Sequence, residues 1–226
     1  MATDAERHRS HDDKNGQART RLARAAVIGA ARALFLERGY AATTIDAISD
    51  QSDVPPATVY RLFSSKLGIL KALLDVSIAG DDEAVALADR PHIRALLEDR
   101  DPRNQLSGLA GTIRGIMSRG EPLHRILVSA SGSDPDAAAL LAELTRQRQR
   151  GHARIVRSLG RAGALRPTLR ERDADDIIHA LTSPEVYRLL VCDRRWPADR
   201  YERWLKHILI DQLLPPTATR SEGTDS

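Results

Sequence analysis

Apolar residues recur at helical spacing along most of this chain, and glycines, prolines and short polar runs cut the pattern into segments. From about Thr20 to Arg38, one row is formed by Leu22, Ala26, Ala30 and Leu34, and the adjacent row by Val27, Ala31 and Phe35. This predicts a first amphipathic helix, ended by Gly39, with Tyr40 packed against its end. A second helix is expected from Thr43 to about Gln51, with Thr43 as cap, Asp46 reaching back to it, and Ile45 and Ile48 turned inward. Ser52 and Asp53 are turn formers. Pro55 and Pro56 then open a third helix running to about Leu62, because the first turn of a helix has no use for the amide that proline lacks. Val59 and Phe63 lie four apart and face the same core as Ile48. Ser64 or Ser65 caps a fourth helix, whose inner face is Leu67, Leu70, Leu73 and Leu74.

Beyond Gly80 the pattern predicts an interrupted helix over Asp81–Ala88 and Pro91–Asp99. Another runs from Leu106 to Met117, closed by Gly120, and a short one from Pro122 to Val128. Residues 129–135 (SASGSDP) read as a connector in which Ser133 or Asp134 caps a long helix, Asp136 to Leu159, ended by Gly160 and Gly163. A helix from Asp173 to about Leu190 is expected to kink at Ser183-Pro184, and a last one, Pro197 to Leu214, stops at Pro215 and Pro216. No run alternates apolar and polar residues in the way a strand does, so the fold class is all-α. The expected organisation is a disordered arm over 1–18, a first helical domain over 19–80, a larger helical domain over 81–214 and a disordered tail over 215–226.

Composition narrows this further. An apolar share of 42% supplies a core, and an aromatic share of only 4%, with Ala and Leu dominant, favours helix packing. The formal net charge is +3, and the eight cations against five anions of residues 19–80 account for that excess alone. A pI near 9.3 is compatible with nucleic-acid binding. One cysteine, Cys192, excludes an internal disulfide framework, and it has no evident activating neighbour in the sequence. The absence of a signal-like or membrane-spanning run leads to the expectation of a soluble, cytoplasmic chain with no membrane partner.

The chemistry is concentrated in residues 43–66. With Val59 and Phe63 committed to the core, Thr58, Tyr60 and Arg61 project from the third helix, beside a start of little bulk made by Pro55, Pro56 and Ala57. A short, capped helix with such a face suits a DNA major groove. Lys66 and the free amides at the next helix start form a plausible anion site. Thr43 and Thr44 sit at the start of the second helix, and Arg19 and Arg21 approach from the arm. Elsewhere bland readings prevail. His8 and His11 are tail residues, and His124, His152, His179 and His207 are surface or satisfied core histidines. Arg146, Arg148 and Arg150 form a solvated face, while Trp196 and Trp204 belong to the core or to a dimer region. No metal site and no cofactor is expected.

A first helix ending in ERGY, then ATTIDAI, a turn closing on Val54, then TVYRLF and SSK, resembles the tetracycline-repressor (TetR) family of bacterial transcription regulators over about residues 20–75. SPEVYRLL and RYERW resemble the family's regulatory domains more weakly. The resemblance implies a three-helix helix-turn-helix domain plus a larger helical domain for ligand binding and dimerisation. It implies a homodimer joined through its last two long helices, a palindromic double-stranded operator, and release by a small-molecule effector of unknown identity. It places Thr44 near the DNA backbone at the start of helix two, gives Thr58, Tyr60 and Lys66 phosphate contacts, and leaves Arg61 a more variable role. Where the family often has Ser, a polar or cationic residue and Gly, this chain has Pro55, Pro56 and Ala57, so base reading there relies on apolar contact with thymine methyls. Two rival readings stand beside it: a DNA-binding regulator without an effector, and an enzyme of helical fold. For the second, the chain offers no phosphate loop, nucleophile elbow or paired zinc histidines.

Overall fold

The computed structural model describes residues 4–80 and 87–216, with side chains from Gly16 onward and without that of Ala88. Every regular element among these residues is helical. The helices are α1 (Asp4–Ala42), α2 (Ile45–Ser52), α3 (Pro56–Phe63), α4 (Lys66–Ala79), α5 (Pro91–Glu98), α6 (Pro102–Ser131), α7 (Pro135–Arg161), α8 (Glu171–Leu181), α9 (Pro184–Tyr187) and α10 (Ala198–Leu213). A 3₁₀ turn, Leu87–Asp89, precedes α5, and a π-helical turn, Arg188–Asp193, follows α9.

The described chain forms two compact units: Met1–Ser77 with Pro122–Ala142, and Ile78–Glu121 with Glu143–Ser226. In the first, α1 starts at Asp4, well before the expected start at Thr20, because residues 4–18 have no apolar face from which periodicity could reveal a helix. The side chains of His8 and His11 lie outside the described residues. Val27, Ala30, Ala31, Leu34 and Phe35 are buried, but Leu22 is 72% exposed, so the inward stripe begins a turn later than its periodicity proposes. At Gly39 the backbone leaves helical geometry at φ 77°, a left-handed value that glycine takes without strain. Ile48, Val54, Val59, Phe63, Ile69 and Leu70 close the core of this unit.

The second unit is built around Leu106, Ala110, Ile178, Tyr201, Leu205 and Leu209, all fully buried. Several expected breaks differ in the structure. Neither Gly120 nor Pro122 ends α6, which runs on to Ser131. Leu123 and Leu127 are fully buried beyond the proline, and that packing outweighs the one lost backbone bond. The expected kink at Ser183-Pro184 is a full break: α8 ends at Leu181, and Ser183 caps the new helix by accepting from the Val186 amide at 3.3 Å. Asp134, of the two candidates, caps α7, accepting from the amides of Asp136 and Ala137 at 2.9 and 3.2 Å. The helix expected over Asp81–Ala88 falls largely outside the described residues, as do residues 217–226 of the tail.

Candidate nucleic-acid interface

The turn between α2 and α3 is fixed by three local devices. Asp53 takes a left-handed conformation (φ 53°), which ends α2 and re-aims the chain. The Ser49 hydroxyl donates to the Val54 carbonyl at 2.7 Å, and the Val54 amide donates to the Ser49 carbonyl at 3.3 Å. Pro55 then caps α3 with its carbonyl, which receives the amides of Thr58 and Val59 at 2.8 and 3.1 Å. Val59 is fully buried and Phe63 nearly so, and Arg24 lies over the Phe63 ring at 4.9 Å. With those two anchors inside, Pro55, Pro56, Ala57, Tyr60 and Arg61 are exposed and Thr58 is half-buried. Tyr60 is 53% exposed, a large aromatic held out from its own core.

Two residues on the expected contact list have other work. Thr43 is fully buried, and its hydroxyl donates to the Gly39 carbonyl at 2.8 Å. The cap of α2 is its neighbour: the exposed Thr44 accepts from the Ala47 amide at 3.1 Å. The sequence places a threonine at both positions, and a one-residue error in the helix start exchanges their roles. The Lys66 ammonium donates to the carbonyls of Tyr40 and Thr43 at 2.7 and 2.8 Å and lies 4.3 Å above the Tyr40 ring. It binds the α1–α2 junction to the start of α4, and burial lowers its pKa, with Asp134 opposing that shift. Burial, and then Asp134 as charge and hydrogen-bond partner, raises the Tyr40 phenol. Two of the ammonium's three donors are thus spent on backbone carbonyls.

Sequence reasoning missed one residue that sets the next turn. A Cβ added to Gly68 would lie 2.0 Å from the Phe63 carbonyl oxygen, so the α3–α4 turn passes too close for any side chain. Ser64 (φ 65°) makes that turn, and the Ser65 hydroxyl, accepting from the Gly68 amide at 3.0 Å, caps α4. A glycine three residues after a serine, at the start of an apolar helix, is the signal that was available.

Charge is unevenly spread over this surface. Asp46, Asp50 and Asp53 are exposed on α2 and its turn, whereas α3 carries the single cation Arg61. Further cations lie on α1, where Arg19 and Arg21 are exposed, and on α4, where Lys71 is exposed.

The sequence pattern described as "Bacterial regulatory proteins, tetR family" matches residues 27–73, the stretch that holds all of this geometry. Over residues 27–73 the chain carries the tetR-family helix-turn-helix. Among its curated relatives, the uncharacterized HTH-type transcriptional regulator YvkB of Bacillus subtilis (strain 168) is 33% identical over 87 residues, 35% of this chain and 46% of that one. The HTH-type transcriptional regulator TcmR of Streptomyces glaucescens is 30% identical over 150 residues, 62% of this chain and 60% of that one. The matches thus span about half of each relative's length. Among solved structures, the fatty acid degradation regulator FadR from Bacillus halodurans superposes with a TM-score of 0.65 at 18% identity, covering 82% of this chain and 96% of that one. A SmeT–triclosan complex gives 0.64 at 17%, covering 90% and 99%. At such identities the agreement is one of fold, and it covers the helices beyond the helix-turn-helix as well. Among the described residues, no helix is long and apolar enough to cross a membrane.

Proposed function

We propose that this chain is a tetR-family transcription regulator, most simply a repressor, that binds a palindromic operator as a homodimer and is released by a small-molecule effector. The observation that carries the reading is α3. Its two buried anchors leave Pro55, Pro56, Ala57, Tyr60 and Arg61 outward on a helix of eight residues, the length and finish of a major-groove reader. Thr58, Tyr60 and the exposed cap Thr44 supply hydroxyls for phosphate oxygens, and Arg61 supplies the charge. Pro56 and Ala57 offer apolar contact to thymine methyls. Thr43 and Lys66 leave the contact set and hold the frame. The effector half of the reading draws on fold relatives: SmeT was solved with triclosan, and the Bacillus subtilis regulator FadR with stearoyl-CoA.

The test is fluorescence anisotropy of the full chain on a duplex from the region upstream of its own gene. Wild type is expected to bind, with a log affinity that falls as log salt rises, and Tyr60→Ala to bind about tenfold more weakly, ~1.4 kcal/mol, at unchanged melting temperature. Equal affinity in both proteins would remove α3 from the interface.

A further inference from the structure

Alternation along α7 separates three arginines that look alike in sequence. Arg146 and Arg150 are exposed and both reach Glu143, at 2.9 Å each. Arg148 lies some 200° around the helix from each of them and turns inward. Its Nη2 donates to His179 Nε2 on α8 at 3.2 Å, while its Nη1 is closed from solvent and has no partner. Among the described residues, no carboxylate lies within ion-pair distance of this guanidinium. Burial is the leading influence on it, and Glu185 adds only a secondary electrostatic effect. Arg148 as a whole is half-buried, and charges drawn out of water are ordinarily paired, so a guanidinium with one nitrogen closed off and another held by a neutral ring is an incomplete arrangement.

The two histidines beside it fix which atoms are left over. Thr182 donates its hydroxyl to the Ile178 carbonyl at 2.7 Å, so its lone pair receives the Nε2 proton of His152 at 3.2 Å. His152 is only 3% exposed, and its Nδ1 is a bare acceptor without a partner. His179 accepts from Arg148 at Nε2, so its proton sits on Nδ1, which is also buried and unpaired. The two rings meet edge to face at 6.0 Å. Asp175 Oδ1, one turn before His179, is unpaired as well. Ile155, Val156 and Ile178, on the same two helices, are buried and apolar.

We infer that Arg148, with the His152–His179 pair, is the recognition end of a site for a small molecule bearing a single carboxylate on an apolar body. A guanidinium fork matches a carboxylate's two oxygens, and the His179 Nδ1 proton is a further donor. One cation beside neutral imidazoles compensates one negative charge. A phosphate, with about two, would face the nearby Asp175 and Glu185, and the further cation felt there, Arg157, already acts on Asp175. The inference rests on the effector half of the proposed function and gives the effector a chemical class.

The experiment is thermal shift and calorimetry on the full chain with benzoate and octanoate, against benzamide, octanamide and chloride at equal ionic strength. The carboxylates are expected to raise the wild-type melting temperature in proportion to log concentration, and the amides to leave it unmoved. Arg148→Met is expected to weaken carboxylate binding at least tenfold while melting no lower than wild type without ligand, since it removes a half-buried charge that has no ion-pair partner. Arg148→Lys, which keeps the charge without the fork, falls between. Equal responses of wild type and Arg148→Met, or no response of either, overturn the inference. So does a change in dimer dissociation without a carboxylate response, which would make a second copy the source of the anion. Operator binding is measured on the same preparations. Lost DNA binding with an intact carboxylate response sinks the regulator reading alone, and the reverse sinks this one alone.

Discussion

Helix α3 in the first unit and the α7–α8 pair in the second solve opposite problems with the same element. Both are amphipathic helices with apolar anchors inside. In α3 the polar and aromatic groups are driven outward: Val59 and Phe63 fill the core, and Tyr60 stands 53% exposed. In α7 and α8 polar groups are carried inward, where Arg148, His152 and His179 each keep an unpaired buried atom. Under the two proposals, the difference separates two kinds of specificity. A surface reader works by what it presents, and its variants change affinity with little change in stability. A buried polar cluster works by what it lacks, and its variants change both.

The most severe way to break the first half of that comparison is to disturb the frame of α3 and leave its face untouched. Gly68→Ala forces a Cβ to within 2.0 Å of a backbone oxygen at the α3–α4 turn, and backbone cannot rotate away as a flexible side chain can. We expect a loss of at least ~3 kcal/mol in urea unfolding, and loss of DNA binding with it. Lys66→Met is expected to cost about 2 kcal/mol, because it leaves the carbonyls of Tyr40 and Thr43 without their donor. If it instead left stability intact and weakened DNA binding alone, Lys66 would be a phosphate contact after all.

The second half is sharpened by pH. The His152 pKa is pushed down to about 3 from 6.5, first by burial and then by Arg148 and His179. The unfolded chain therefore takes up a proton near pH 6.5 that the folded chain refuses. The stability from the neutral ring is complete above that pH and is lost progressively as pH falls towards 3. At pH 5 this amounts to about 2 kcal/mol. His152→Gln is expected to flatten that part of the stability–pH curve, measured by denaturant titration between pH 7 and 5. An unchanged slope would mean that the ring is protonated in the folded chain, and the tautomer assigned through Thr182 would fall with it.

The helix-turn-helix was legible because its signals are local. Gly39, Asp53 and Pro56 punctuate it within a turn of where the structure does, and Val59 and Phe63 announce their burial by spacing alone. What depended on tertiary partners was not legible. Lys66 reads as a free cation until the carbonyls of Tyr40 and Thr43 arrive beside it from 26 and 23 residues away. Gly120 and Pro122 read as a stop, yet α6 continues because Leu123 and Leu127 find a core. Arg148 is intermediate. Residues two apart on a helix lie on nearly opposite sides, so its separation from Arg146 and Arg150 was available in the sequence, although what it would meet was not.

The mildest test lies at Thr44, where frame and face coincide. Its hydroxyl caps α2 through the Ala47 amide, and in the proposed function the same exposed side chain meets the DNA backbone. Thr44→Ala removes both functions, so we expect about 1 kcal/mol less stability together with weaker operator binding, and that result alone does not separate them. Thr44→Asp does. Aspartate caps as well as threonine or better and suits the positive end of the helix, so melting temperature is expected to hold or rise slightly. Its carboxylate would face phosphate, however, so affinity is expected to fall several-fold and to recover in part as salt screens the repulsion. Undiminished DNA binding by Thr44→Asp at low salt would show that the start of α2 stands clear of the duplex, and the contact surface would then shrink to α3 and the cations of α1.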